Sequence, residues 1–229
     1  MNPSVRVAGW AMTVYAIVFV TTFSVNAALS ILGDAPRYPL AGEMQARGWE
    51  GILFMMLWAS AGIALAVAAP SLAGVVWPAG SLAARISTTF GTIAAAGWML
   101  TGCAGFAQRT ALLNANIAAV GADAAAERAV VEGLFILVHL GTILFAFAAV
   151  PWISMVAVGA ARGERMSRTV IGLLWIAGVT PLLTFLVTGY QYGIFGAVLG
   201  FGIAGILLLR RWRRERVVPE RTAASATAA

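Results

Sequence analysis

Apolar residues run in long stretches between widely spaced charges, and the lengths of those stretches predict the elements. A hydrocarbon core about 30 Å thick takes roughly 20 helical residues to cross. The 27 uncharged residues between Arg6 and Asp34 predict one helix, about Val7 to Leu32. The 23 between Arg85 and Arg109 predict another single span, ending near Phe106, and the 29 between Glu132 and Arg162 a third, which Pro151 is expected to kink or end. Forty-one uncharged residues between Arg168 and Arg210 are too many for one helix and accommodate two, joined at Gly189-Tyr190-Gln191-Tyr192-Gly193. The 34 residues from Gly51 to Ala84 read as one span followed by an interfacial connector, because Pro70 and Pro78 bracket Gly74 and Trp77. The pattern predicts an all-α, polytopic membrane bundle of six transmembrane helices.

Composition agrees with that reading. Of 229 residues, 61% are hydrophobic and 10% charged, whereas soluble domains carry about a quarter charged residues. The chain is expected to form one transmembrane domain over residues 1–216, with a disordered cytoplasmic tail over 217–229. The longest segments expected outside the membrane, Gly33 to Glu50 and Gln108 to Val131, are too short for a soluble domain.

Arginine placement sets the expected orientation, since cytoplasmic loops are enriched in basic residues. With the N-terminus inside, eleven of the fifteen arginines lie on the cytoplasmic side. Arg37, Arg47, Arg109 and Arg128 fall outside, mixed with six acids: Asp34, Glu43, Glu50, Asp123, Glu127 and Glu132. Both termini are then cytoplasmic. A second reading treats Arg6, the apolar run after it and Val25-Asn26-Ala27 as a cleaved signal peptide, which leaves the other five helices unchanged.

The residues that are missing exclude several chemistries. Cys103 is the single cysteine, so an internal disulfide, a CxxC redox pair and thiolate zinc sites are ruled out. His139 is the single histidine, which rules out bis-histidine haem and histidine clusters. All fifteen basic residues are arginine, so no lysine Schiff base or nucleophile exists. The net charge of +6 is carried mostly by arginines flanking apolar runs, which argues for topology signals and against nucleic acid. The sequence has no HExxH, GxSxG, paired intramembrane aspartates or phosphate-binding glycine loop. Ser60 and His139 could form a pair, but no third residue orients them. Neither a cofactor nor a metal is expected.

Two sets of residues remain as candidates. Gly196, Gly200 and Ala204, and likewise Gly97, Thr101 and Gly105, recur at spacing four, the pattern that lets membrane helices approach closely, within the monomer or in a homo-oligomer. The polar set consists of Asn26, Ser60, His139, Thr184 and Thr188, all expected in the outer half of the bilayer, with Glu132 above them at the surface. They read either as lining of an outward-facing wet cavity or as structural hydrogen bonding between and within helices. His139 leaves a proton-coupled role open. A faint internal echo relates Glu50-Gly51 with Pro70 to Glu132-Gly133 with Pro151, as two hairpins of common descent or as ordinary capping.

Arg6-Val7-Ala8-Gly9, Gly33-Asp34-Ala35, and Arg165-Met166-Ser167-Arg168 before Gly172 to Gly178 carry a resemblance. The chain resembles a broad bacterial family of six-helix integral membrane proteins of unknown function. The resemblance implies the fold and the bacterial cytoplasmic membrane, and it transfers no catalytic residue. The helix count is also similar to that of the substrate-capture components of vitamin importers, without their ligand motifs.

The functional expectation is a non-enzymatic protein that binds or passes a small solute or lipid through an outward cavity. The alternatives are an accessory or scaffold subunit of a membrane complex, with a membrane protein partner, and a membrane-embedded enzyme. Reporter fusions after Ala160 and after Glu220 should both report cytoplasm, and one near Gly121 the exterior. A cytoplasmic signal at Gly121 would overturn the map.

Overall fold

The computed structural model describes residues 3–32, 48–109, 124–188 and 193–227. Six helices carry nearly all of them: α1 (Pro3–Leu32), α2 (Gly48–Val76), α3 (Leu82–Arg109), α4 (Ala124–Arg162), α5 (Arg168–Thr188) and α6 (Ile194–Thr227). Each contains a stretch long and apolar enough to cross a membrane. The chain is therefore a multi-pass membrane protein in contact with lipid. In hydrocarbon the backbone can satisfy its own hydrogen bonds only as a helix or a closed barrel, and these near-continuous apolar runs adopt the first solution.

Neighbours in sequence are neighbours in space. Each helix packs against the next, and α1 also packs against α6, so the six form a closed ring, with α2 touching α4 across it. The first and last helices meet at glycines: Cβ atoms at Gly9 and Gly205 would press on Gly205 O and Gly9 O respectively, and one at Gly202 would meet Ala16. The start of α1 and the arginine-rich part of α6 lie at one face of the ring, where Arg6 sits over the Trp212 ring at 5.0 Å.

Aromatic side chains fill the ring. Tyr15 and Phe19 from α1, Trp98 from α3, Phe145 and Trp152 from α4 and Phe201 from α6 are fully buried, with Trp58 of α2 beside them. Trp58 and Trp98 stack at 4.9 Å, and Phe19 meets each of them edge-on at 4.8 and 5.0 Å. Phe145 lies 4.9 Å from Trp98, and Phe201 bridges Tyr15 and Trp152. Such offset and edge-to-face pairs are worth about 0.5–1.5 kcal/mol each beyond area burial. In lipid, where water drives no helix association, they are a principal source of packing energy.

Two proline expectations need correction. The helix does not give way to a connector after Pro70, and α4 does not end at Pro151; both run on, to Val76 and Arg162. The true connector is short, Trp77 to Ser81. Pro70 is exposed on the outside of the bundle. Hydroxyls beside the prolines also bond carbonyls of the same turn: Ser71 to Val67 O, Ser154 to Val150 O and, beside Pro181 in α5, Thr184 to Thr180 O. These are not the carbonyls that the prolines free, which belong to Ala66, Phe147 and Ala177, four residues before each proline.

The α4–α5 turn is pinned by hydrogen bonds. Arg165 N bonds Ala160 O, and Glu164 takes a left-handed conformation with φ of 49°, a region that suits glycine. Arg165 then reaches Val75 O at the end of α2 at 3.3 Å, and Arg211 of α6 donates to Arg165 O. Carbonyls left over at the end of one helix and in a turn thereby find guanidinium donors.

Substitutions of glycine should separate tight from open approaches. A Cβ at Gly97 would collide with Gly141 O and the Phe145 backbone, whereas one at Gly172 meets nothing within 4 Å. Gly97→Val should destabilise the bundle by about 1–3 kcal/mol. Gly172→Ala should be neutral or stabilise by up to about 1 kcal/mol. Thermal unfolding in mild detergent checks both, and equal effects would contradict the packing described.

Candidate polar and packing sites

Hydroxyls in a membrane helix have the carbonyl four residues back within reach, and that short-range option sets the geometry of the polar set. Ser60 donates to Met56 O, Thr184 to Thr180 O and Thr188 to Thr184 O. His139 behaves alike: its Nδ1 lies 2.9 Å from Phe135 O, and its ring rests on Phe135 at 4.3 Å between centroids. Ser60, His139 and Thr184 are half-buried, while Glu132 and Thr188 are exposed. Asn26 is within α1, but its side chain lies outside the described residues, as do those of Glu50, Gln108, Arg109, Tyr190 and Tyr192. Within this set Thr188 bonds Thr184 O along α5, while the hydrogen bonds described for Ser60, His139 and Thr184 go to the carbonyls of Met56, Phe135 and Thr180 on their own helices.

Two hydroxyls instead tie helices together. Thr101 of α3 donates across to Val138 O of α4 at 3.1 Å as well as to Gly97 O of its own helix. Thr142 donates to the same Val138 O, so one carbonyl gathers hydroxyls from two helices. Thr180 of α5 bonds both Ile176 O and Gly193 O at the start of α6. Both bridges stand where glycine removes the side chain between backbones: a Cβ at Gly141 would strike Gly97 O and Thr101 Oγ1, and one at Gly193 or Gly196 would strike Thr180. Close approach is what brings a short hydroxyl within range of a foreign carbonyl.

The packing residues divide between partners. On α6, Gly196 faces Thr180 and Gly200 faces Leu173 O and Ala177 on α5. Ala204 is fully buried, while Gly202 and Gly205 turn to α1. On α3, Gly97 and Thr101 meet α4, and Gly105 is buried. Gly102 meets Ala59 and Met55 of α2, and Gly62 of α2 meets Met99 and Ala95. Each of these two helices thus has small residues on two faces. Sequence reasoning missed Gly141 and the Val138 carbonyl, because a partner carbonyl carries no side-chain signature.

Depressions among the described residues include a narrow crevice and an open groove. One, between α4, α5 and the start of α6, is lined by Thr142, Ile143, Ala146, Pro181, Phe185 and Ile194, with about 10 Å³ of room. That is the space of a single water. The other is an open groove of about 310 Å³ along one face of α3, over Thr88, Thr89, Thr92, Ile93 and Ala96. No group of three His, Cys, Asp or Glu among the described residues is placed to hold a metal ion.

Comparison with family models, curated proteins and solved structures finds no match.

His139 and Thr101 provide a test of this geometry. His139→Leu removes a bond within one helix and should change stability by under about 1 kcal/mol. Thr101→Val removes a bond between helices and should cost more, up to about 1.7 kcal/mol. Detergent unfolding of both variants measures the order, and a larger loss for His139→Leu would contradict it.

Proposed function

We propose that this chain is a non-enzymatic accessory or scaffold subunit of a membrane complex, placed in the bacterial cytoplasmic membrane with its arginine-rich face in the cytoplasm. The observation that carries this reading is the aromatic filling of the ring, in which Trp98, Phe145, Trp152 and Phe201 occupy the centre that a solute path would need. Ser60, Thr101, His139 and Thr184 spend hydrogen bonds on backbone carbonyls. Function then falls to the outer surfaces of the helices and to the two membrane faces. The orientation rests on the eleven-to-four division of arginines.

A second reading has one observation in its favour. The crevice at Thr142, Pro181 and Phe185 opens between α4 and α5, and separation of those helices would enlarge it toward a site for a small lipid or solute. His139, three residues before Thr142 on α4, would then stand near its edge.

Gentle solubilisation from native membranes, followed by mass measurement of the intact particle, distinguishes the two. The subunit reading expects a particle well above the 23.8 kDa of one chain, with a second polypeptide in stoichiometric amount. A lone chain carrying a stoichiometric small molecule would contradict it and favour the ligand-binding reading.

A further inference from the structure

Nine described arginines, Arg6, Arg85, Arg162, Arg165, Arg168, Arg210, Arg211, Arg213 and Arg214, lie at the face of the ring where α1 starts, and all nine side chains are exposed. Glu164 is the single described carboxylate among them. Retention on one side of a membrane asks only that arginines be in the flanks. It does not ask for a direction. Some of these arginines have one.

On α6 the exposed positions Phe195, Leu199, Ile203 and Ile206 advance by three or four residues, which places them on one lipid-facing stripe. Arg210 and Arg213 continue that stripe by four and three residues more. On α1 the exposed Ile17, Val14 and Trp10 form the corresponding stripe, and Arg6 extends it by four residues. The two stripes flank one seam, because α1 and α6 meet through Gly9 with Leu209 and Gly205 with Thr13. At the end of the seam, Trp212 is half-buried and the Arg6 guanidinium lies over its ring at 5.0 Å. Stacking of a guanidinium on an aromatic face leaves its in-plane N–H donors available, and that planar fork matches two phosphate oxygens.

From this arrangement we infer that Arg6, Arg210 and Arg213, organised around Trp212, form a binding site for the phosphate headgroup of an anionic phospholipid at the α1–α6 seam. The charge complements the headgroup, and the same two stripes one turn deeper, Trp10 and Val14 on one side and Ile203 and Ile206 on the other, offer apolar surface to its acyl chains. A soluble anion would use the first feature and not the second, so the occupant is a lipid. This inference is independent of the subunit reading, since a lipid site at the seam is compatible with either functional assignment.

The full chain in a neutral detergent, titrated with phosphatidylglycerol, phosphatidylcholine or inorganic phosphate, tests the site by native mass spectrometry and thermal unfolding. Phosphatidylglycerol should bind and raise the melting temperature, and neither phosphatidylcholine nor inorganic phosphate at the same concentration should do so. An equal response to both lipids, or full reproduction of the effect by inorganic phosphate, overturns the proposal without any variant. The double variant Arg6→Gln/Arg213→Gln should weaken phosphatidylglycerol binding by roughly tenfold or more, since each arginine near an anionic surface contributes about a factor of five. Arg162→Gln/Arg168→Gln removes the same charge from the same face away from the seam and should change binding by under about twofold. Equal losses in the two double variants would mean that diffuse charge, and not a site, holds the lipid.

Discussion

Gly97 and Gly141 bring the backbones of α3 and α4 together with no side chain between them, so that Thr101 can reach Val138 O on the other helix. The same device recurs at Gly193 and Gly196 against Thr180, and at Gly9 and Gly205 where the ring closes. Hydrocarbon solvates apolar side chains as well as a helix neighbour does, so hydrophobicity that folds a soluble bundle is of little use between these helices. Dispersion at short range, with hydroxyl bridges where backbones nearly touch, takes its place. Once those contacts draw the six helices inward, the space left at the centre matches large rings, and Trp58, Trp98, Phe145, Trp152 and Phe201 occupy it.

That constraint also accounts for the distribution of polarity. A hydroxyl in lipid has to find an acceptor, and the carbonyl one turn back is always present. Ser60, Thr184, Thr188 and the Nδ1 of His139 use it. Thr101 and Thr180 bond a second helix where glycine shortens the distance. At the arginine-rich face the problem is inverted, because the donors are plentiful and the acceptors are carbonyls at the end of α2 and in the α4–α5 turn. Arg165 on Val75 O and Arg211 on Arg165 O join three elements there without a carboxylate.

Helix number was legible because the bilayer imposes a length, and the gaps between Arg6, Asp34, Arg85, Arg109, Glu132, Arg162, Arg168 and Arg210 could be divided by it. Pro70 and Pro151 were misread as ends, because a rule derived from water-exposed helices assumes that a helix stops where an N–H is missing; in an apolar span no competing solvent is at hand, and both helices run on, to Val76 and Arg162. The small residues of α3 and α6 could be picked out by spacing, but not their partners. Each of these helices shows small residues on two faces, and a single register cannot say that Gly97 meets α4 while Gly102 meets α2. The polar candidates were harder still. A threonine that bonds its own helix and one that bridges to another look identical in sequence, and the difference between Thr184 and Thr101 lies in the glycine facing it from elsewhere in the chain.

Closure of the ring by its first and last helices is the claim on which the filled interior depends, and the lone cysteine makes it directly measurable. A Cβ built at Gly202 lies 2.8 Å from the Ala16 Cβ, so Cys side chains at the two positions come within disulfide reach once the helices separate by about 1 Å. With Cys103→Ser as background, the variant Ala16→Cys/Gly202→Cys should oxidise rapidly in native membranes to an intramolecular cross-link, seen as a faster-migrating monomer that reverts on reduction. Persistence of free thiols at both positions, or cross-linking only between chains, would contradict a ring closed by α1 and α6.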